Sequence, residues 1–100
     1  MIRGTTPTHT FTLPFDVSNV AKCKIIYSQD DVQVFCKRTE DCVLDGADVR
    51  VTLTQEDTFK FDCKKLVQIQ VRVLTGGGNL ITSDVMVTTV GKCLDDEVLV

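Results

Sequence analysis

The residues of this chain that could do redox or metal chemistry are its five cysteines and its single histidine, His9. The cysteines include no C-x-x-C pair, and the histidine lies far from most of them along the chain. Zinc sites are built from closely spaced pairs of such ligands. The spacing therefore predicts neither a metal site nor a cofactor. We expect the thiols to be small core residues in a reducing compartment; they are Cys23, Cys36, Cys42, Cys63 and Cys93.

Two of these cysteines could instead form a disulfide. A hairpin closed by the two-residue loop Gln29–Asp30 would place Cys23 opposite Cys36. Opposed residues at a non-hydrogen-bonded position of an antiparallel pair approach to about 4.5 Å between their Cα atoms, a distance that a disulfide can bridge. A Cys23–Cys36 disulfide is thus one hypothesis, and free thiols are the alternative.

No set of residues indicates an enzyme. A nucleophile needs a base beside it, and His9 is the only histidine that could serve. The alternation of its strand places His9 on the same side as Phe11, which predicts a partly buried or exposed strand residue without a catalytic role. The glycines of Gly76–Gly78 precede a strand and lack the Lys-Ser/Thr pair of a phosphate-binding loop. We therefore expect no catalytic residues.

Charge and hydropathy exclude two classes of partner. The formal net charge is −3 and the eleven lysines and arginines are scattered, whereas nucleic-acid binding needs a concentrated basic face. No stretch reaches the roughly 18 to 20 apolar residues of a membrane span. The first residues, Met1–Pro7, also lack the apolar run of a signal peptide. We expect a protein made in a cytoplasm, with neither nucleic acid nor membrane as a partner.

Strict apolar–polar alternation predicts the elements that must position all of these residues. The clearest run has Val67, Ile69, Val71 and Val73 interleaved with Gln68, Gln70 and Arg72. Six strands follow from the pattern: His9–Phe15, Ala21–Ser28, Asp31–Lys37, Asp48–Leu53, Leu66–Leu74 and Leu80–Val90.

Several finer features follow from turn and capping chemistry. Thr54 and Asp57 predict the start of one short helical turn. The fifth strand is expected to be central, with Gly76–Asn79 as the hairpin loop after it. An irregularity is expected at Thr82–Asp84, and the acidic tail Leu94–Val100 is a candidate for one more edge strand.

These elements predict an all-β fold. One hundred residues are enough for a single core, so residues 1–100 are expected to form one domain. Short strands joined by brief turns favour an antiparallel immunoglobulin-like β-sandwich of six to seven strands with one short helical turn. The polar face of the fifth strand carries Gln68, Gln70 and Arg72, long side chains that could contact a partner.

Three stretches of the sequence resemble small, mostly uncharacterised proteins encoded near the tail and baseplate genes of phages and prophages of Gram-positive bacteria. They are MIRGTTPTHTFTLPFD, LTQEDTFKF and VQIQVRVLTGGGNLITSDVMVTTVGKCLDDEVL. Over Leu53–Val90 the chain is also loosely similar to the N-terminal β-sandwich of baseplate upper proteins. The resemblance implies a component of a virion or of its tail, and it supplies no catalytic motif.

The resemblance leads to one expected function and leaves one alternative. The first is a non-enzymatic structural or adaptor protein of a phage or prophage tail or baseplate, synthesised in the host cytoplasm and then part of the virion. Its partners would be other tail or baseplate proteins, or further copies of itself. The alternative is a module that binds a host surface or a carbohydrate through the loops Arg38–Gly46 and Gly76–Asn79.

Overall fold

The alternating apolar side chains of the sequence belong to two antiparallel sheets that pack face to face. The computed structural model describes residues 1–100, and it confirms the prediction of an all-β sandwich. Its strands are β1 (Thr8–Thr12), β2 (Val20–Gln29), β3 (Val32–Arg38), β4 (Cys42–Asp45), β5 (Asp48–Thr52), β6 (Val67–Thr75), β7 (Leu80–Thr82) and β8 (Met86–Thr88). A 3₁₀ turn covers Thr39–Asp41, and a short helix, α1, covers Gln55–Phe59.

The two sheets differ in width. The smaller sheet has the strand order β1-β5-β4, and the larger has the order β3-β2-β6-β7, with β8 also paired to β6. All of these pairs are antiparallel. The fifth strand of the sequence, now β6, is central as predicted, because β2 lies on one side of it and β7 and β8 lie on the other.

The core lies between the sheets and is a cluster of thirteen buried residues. Its largest members are Tyr27 from β2 and Phe61 from the segment after α1, which are 0% and 2% exposed. The ring of Phe35 stacks on Tyr27 with the centroids 4.9 Å apart. Burial of such aromatic groups is the main favourable contribution to folding.

The β2–β3 hairpin departs from its predicted register. Asp30 and Asp31 form the two-residue turn, with φ of 51° and 62°, whereas Gln29–Asp30 was expected. Asp tolerates the left-handed region, and two successive positive φ values match the twist of paired strands. A bulge opposite Tyr27 then adds one residue to β3, so that Phe35 faces the core and Val32 is 68% exposed.

Helix α1 begins as predicted. The Thr54 side chain accepts a hydrogen bond from the Asp57 amide at 3.1 Å, and the Asp57 carboxylate accepts one from the Thr54 amide at 2.9 Å. Such a reciprocal cap satisfies backbone donors that the first helical turn leaves unpaired. The same carboxylate lies 2.7 Å from the Lys37 ammonium, so α1 is tied to the edge strand β3.

The buried amide of Gln29 holds the segment between α1 and β6. Its Nε2 donates to the carbonyl oxygens of Asp62 at 2.8 Å and Lys65 at 3.1 Å, and its Oε1 accepts from the Asp62 amide at 2.9 Å. Since the side chain is only 6% exposed, these bonds have little competition from water.

The last third of the chain shows where the predicted sixth strand divides. Ser83 interrupts it as expected, because its hydroxyl accepts from the Val71 amide at 3.0 Å in place of a ladder carbonyl. The strand is therefore split into β7 and β8, which together with β4 gives eight strands instead of six to seven. The prediction of an edge strand in Leu94–Val100 is wrong: Leu99 instead exchanges two hydrogen bonds with the Gln55 side chain.

Gly4 is fixed against the end of α1. Its amide donates to the buried Thr58 hydroxyl at 2.9 Å, and its φ of +79° lies in the left-handed region that favours glycine. A Cβ added there would lie 2.6 Å from the Phe59 ring. The backbone therefore favours glycine at this position, and any larger residue would require the Phe59 ring to move.

Candidate functional site

The unequal widths of the two sheets leave the inner face of β7 and β8 uncovered. Ile81 is the register partner of Val73, and Met86 is the register partner of Ile69, so both side chains lie on the core side of the larger sheet. Val73 and Ile69 are 2% and 6% exposed, but Ile81 and Met86 are 41% and 36% exposed. The core face of the larger sheet thus continues past the edge of the smaller one.

Three further exposed apolar residues lie on these strands and on the segment between them. Two of them, Leu80 and Val87, are the register partners of Leu74 and Gln68 and point to the outer face of the sheet. Together with Ile81 and Met86 the three residues form what we call the β7–β8 flank: Leu80, Ile81, Val85, Met86 and Val87. The added residues are between 52% and 57% exposed, and Asp84 is the one charged residue among them. Since β7 and β8 pair only with β6, their outer backbone groups are also unpaired. Exposed apolar surface beside an open strand edge is typical of a protein interface.

The polar face predicted as an interface, Gln68, Gln70 and Arg72, lies next to this flank on β6. Two of its amides already have partners within the chain. Gln68 donates to the Asp31 carboxylate at 2.9 Å and accepts from the amide of the same residue, and Gln70 donates to the Ser83 carbonyl at 2.9 Å. These glutamines hold turns in place, whereas Arg72 makes one long contact of 3.4 Å with a threonine hydroxyl.

The predicted pairing of Cys23 with Cys36 is wrong, because the hairpin register is different. Cys36 is the partner of Ile26, on the face of β2 opposite to Cys23, and all five cysteines are free thiols. Cys23 instead meets Cys42, which comes from the smaller sheet, across the core. Cys42 packs against the core, and its thiol lowers the pKa of Cys23, although burial opposes this shift.

His9 is a strand residue, as predicted, and of the two expected degrees of exposure it has the partly buried one. Its Nδ1 lies 2.8 Å from the hydroxyl of the fully buried Tyr27. Burial lowers the pKa of His9 and raises that of Tyr27, since the charged form of each group is poorly solvated there. The contact therefore joins two neutral groups across the sandwich near neutral pH.

The two loops expected to bind a ligand in the alternative function are both short and ordered. Most of Arg38–Gly46 is ordered into the 3₁₀ turn and β4, while Gly76–Asn79 is a tight turn closed by the Thr75 amide and the Asn79 carbonyl at 2.8 Å. No three His, Cys, Asp or Glu side chains are grouped so as to hold a metal ion. Neither helical segment has the length and hydropathy that crossing a bilayer would require.

Sequence reasoning missed the β7–β8 flank. Alternation correctly marks Ile81 as a core-side residue, but it cannot show that the opposite sheet ends before reaching it. The available signal was the short run Val85–Val87, in which three consecutive apolar residues break the alternation.

Comparisons of the chain with protein-family models, with curated proteins and with solved structures each found no match.

Proposed function

We propose that this chain is a non-enzymatic structural or adaptor protein of a phage or prophage tail, and that it acts by protein–protein contact through the β7–β8 flank. The observation that supports a protein contact at this flank is the exposure of Ile81 and Met86 on the core face of the larger sheet. The assignment to a tail or baseplate depends on the sequence resemblance described above.

The chemistry of the flank favours a protein as the partner. Its side chains are aliphatic or thioether groups, which gain free energy when they leave water but offer no directional bonds to a small ligand. Unpaired backbone groups along β7 and β8 supply directional bonds that a strand of another chain can match. A partner strand at this edge would extend the larger sheet and bury its exposed apolar side chains.

Self-association is the first test, because it needs no knowledge of the partner. We expect size-exclusion chromatography with multi-angle light scattering to show a discrete oligomer of this chain, which Ile81→Lys reduces to the monomer. Leu94→Lys is the matched control, since Leu94 is 94% exposed and lies outside the flank. Loss of the oligomer in both variants, or in neither, would contradict a role for the flank in self-association.

A monomeric wild-type chain would require a hetero-partner, and the same pair of variants tests that case. Mass spectrometry of purified phage particles that encode the chain should find it in the tail. Particles carrying Leu94→Lys should retain the chain and those carrying Ile81→Lys should lose it. Absence of the wild-type chain from assembled tails would contradict the proposed location.

A further inference from the structure

Three cationic side chains lie side by side on the outer face of the larger sheet. Lys24 on β2 is the register partner of Arg38 on β3 and of Arg72 on β6. Because Lys24 lies between the buried residues Cys23 and Ile25, it projects to the opposite, outer face. We call Arg38, Lys24 and Arg72 the cationic row; with strands about 4.8 Å apart, it spans about 10 Å.

The cationic row is not neutralised within the chain. Like charges directly opposite one another on neighbouring strands destabilise a sheet. None of the five ion pairs in the structure includes a residue of the row. The fold therefore holds three mutually repelling charges together with no carboxylate in ion-pair contact with any of them.

The row lies in an open groove with a volume of about 650 Å³. Lys22 adds a fourth cation to its lining and Glu40 is its one acid, although acids outnumber bases in the whole chain by fourteen to eleven. Leu74 and Leu80 supply apolar lining. Positive charge is thus concentrated in one groove of a protein whose net charge is −3.

We propose that this groove binds an acidic, extended segment of a partner protein, with carboxylates on the cationic row and an apolar side chain against Leu74 and Leu80. Leu80 also belongs to the β7–β8 flank, so the groove continues the surface of the proposed function, on which this inference rests. Charge complementarity selects the acidic partner. The lining has no aromatic side chain on which nucleobases or sugar rings could stack, and four cations are few for a nucleic-acid backbone.

The binding test uses a fluorescein-labelled ten-residue peptide of alternating Glu and Leu, with the Gln-for-Glu peptide as the control ligand. In fluorescence anisotropy we expect the acidic peptide to bind, and Lys24→Gln to weaken it about tenfold, as removal of a specific charge contact does. Arg72→Gln should have a similar effect. Lys92→Gln removes the same charge from an exposed position outside the groove and should change the affinity less than about twofold. Raising the salt concentration should weaken binding.

A second measurement needs no ligand. If the row repels itself, Lys24→Gln should raise the melting temperature at low salt, and the increase should shrink as salt screens the charges. Lys92→Gln should leave the melting temperature nearly unchanged. A lower melting temperature for Lys24→Gln at low salt would overturn the claim that the row is uncompensated.

Three results would overturn the inference. They are equal affinity for the acidic and Gln peptides, equal loss of affinity in Lys24→Gln and Lys92→Gln, and tighter binding of a ten-nucleotide oligothymidylate than of the acidic peptide. Ile81→Lys separates this inference from the proposed function, because it changes the flank and leaves the groove lining intact. If the peptide fails to bind while association through the flank is preserved, the proposal that the groove binds an acidic segment is refuted and the proposed function is not.

Discussion

Replacement of Asp57 by asparagine tests the contact that ties helix α1 to strand β3. The change is nearly isosteric, and the Asn side-chain oxygen can still accept from the Thr54 amide, so the helix cap is kept. What is lost is the charge that faces the Lys37 ammonium at 2.7 Å. The variant therefore leaves a cation in a site with little water and no carboxylate.

The magnitude follows from the burial of the pair. The Asp57 and Lys37 side chains are 10% and 17% exposed. Removing one partner of a buried ion pair costs about 3–5 kcal/mol. The remaining exposure of Lys37 lets its ammonium recover some hydration, so we expect a loss of about 3 kcal/mol in the free energy of unfolding. This is a large part of the roughly 5–15 kcal/mol typical of a domain.

Urea denaturation at pH 7 measures this loss. Asp45→Asn is the matched control, because Asp45 also pairs with a cation, Arg50, but its side chain is 71% exposed. Exposed pairs contribute about 0–1 kcal/mol. A cost for Asp57→Asn below about 1 kcal/mol, or equal to that of Asp45→Asn, would refute the claim that this pair is effectively buried. Adding Lys37→Met to Asp57→Asn should recover part of the stability, since no charge is then left unpaired.

The same pair predicts a pH dependence. Burial raises the pKa of Asp57, but hydrogen bonds from the Lys37 ammonium and the Thr54 amide outweigh it and hold the pKa below 3.8. A lowered folded-state pKa means that the stabilisation is fully present above the unfolded value near 4 and is lost as the pH falls through the folded value. The stability difference between wild type and Asp57→Asn should therefore shrink as the pH falls below about 4.

Three further predictions concern other fixed contacts. Gln29→Leu should lower the free energy of unfolding by about 2 kcal/mol in urea, because it leaves the Asp62 amide and the Lys65 carbonyl without partners. A cost below about 1 kcal/mol would contradict this. Gly4→Ala should cost about 2 kcal/mol or more, through positive φ and a clash with the neighbouring phenylalanine ring. Gly46→Ala is its control, because Gly46 has a φ of +60° but lies in open space, and it should cost less. Equal costs would show that the clash with the phenylalanine ring contributes nothing. Oxidation with glutathione disulfide should link Cys23 to Cys42 and raise the free energy of unfolding by about 3 kcal/mol, as closure of a loop of about twenty residues predicts. Peptide mapping that finds a different pair would refute the last prediction.

The parts of the fold that could be predicted are those set by residues close together in sequence. The Thr54–Asp57 cap needs only a spacing of three residues, and the structure confirms it. The same holds for the break at Ser83, where a short polar side chain competes with the ladder. The alternation of β6 was sufficient to mark it as a strand, and its uninterrupted length indicated a central one.

The parts that could not be predicted depend on pairing between distant strands. Moving the β2–β3 turn by one residue shifted the pairing by two, and the bulge added one more residue and so exchanged the faces of β3. Together they brought Phe35 into the core and removed Cys36 from Cys23. The meeting of Cys23 and Cys42 requires knowledge of how two sheets pack. The exposure of Ile81 likewise depends on where the opposite sheet ends, and the cationic row exists only once three strands are in register.

The pairing of β2 with β6 also sets an order on folding. Residues 20–29 pair with residues 67–75, so the central pair of the larger sheet cannot form until three quarters of the chain is available. Such non-local pairing slows folding, because the entropy of closing the long intervening segment is lost before the contacts form. β7 and β8 can join only after β6 is in place, and each has three residues. We expect their amides to exchange with solvent hydrogen first, so the surface proposed for assembly is also the part of the sheet that opens most readily.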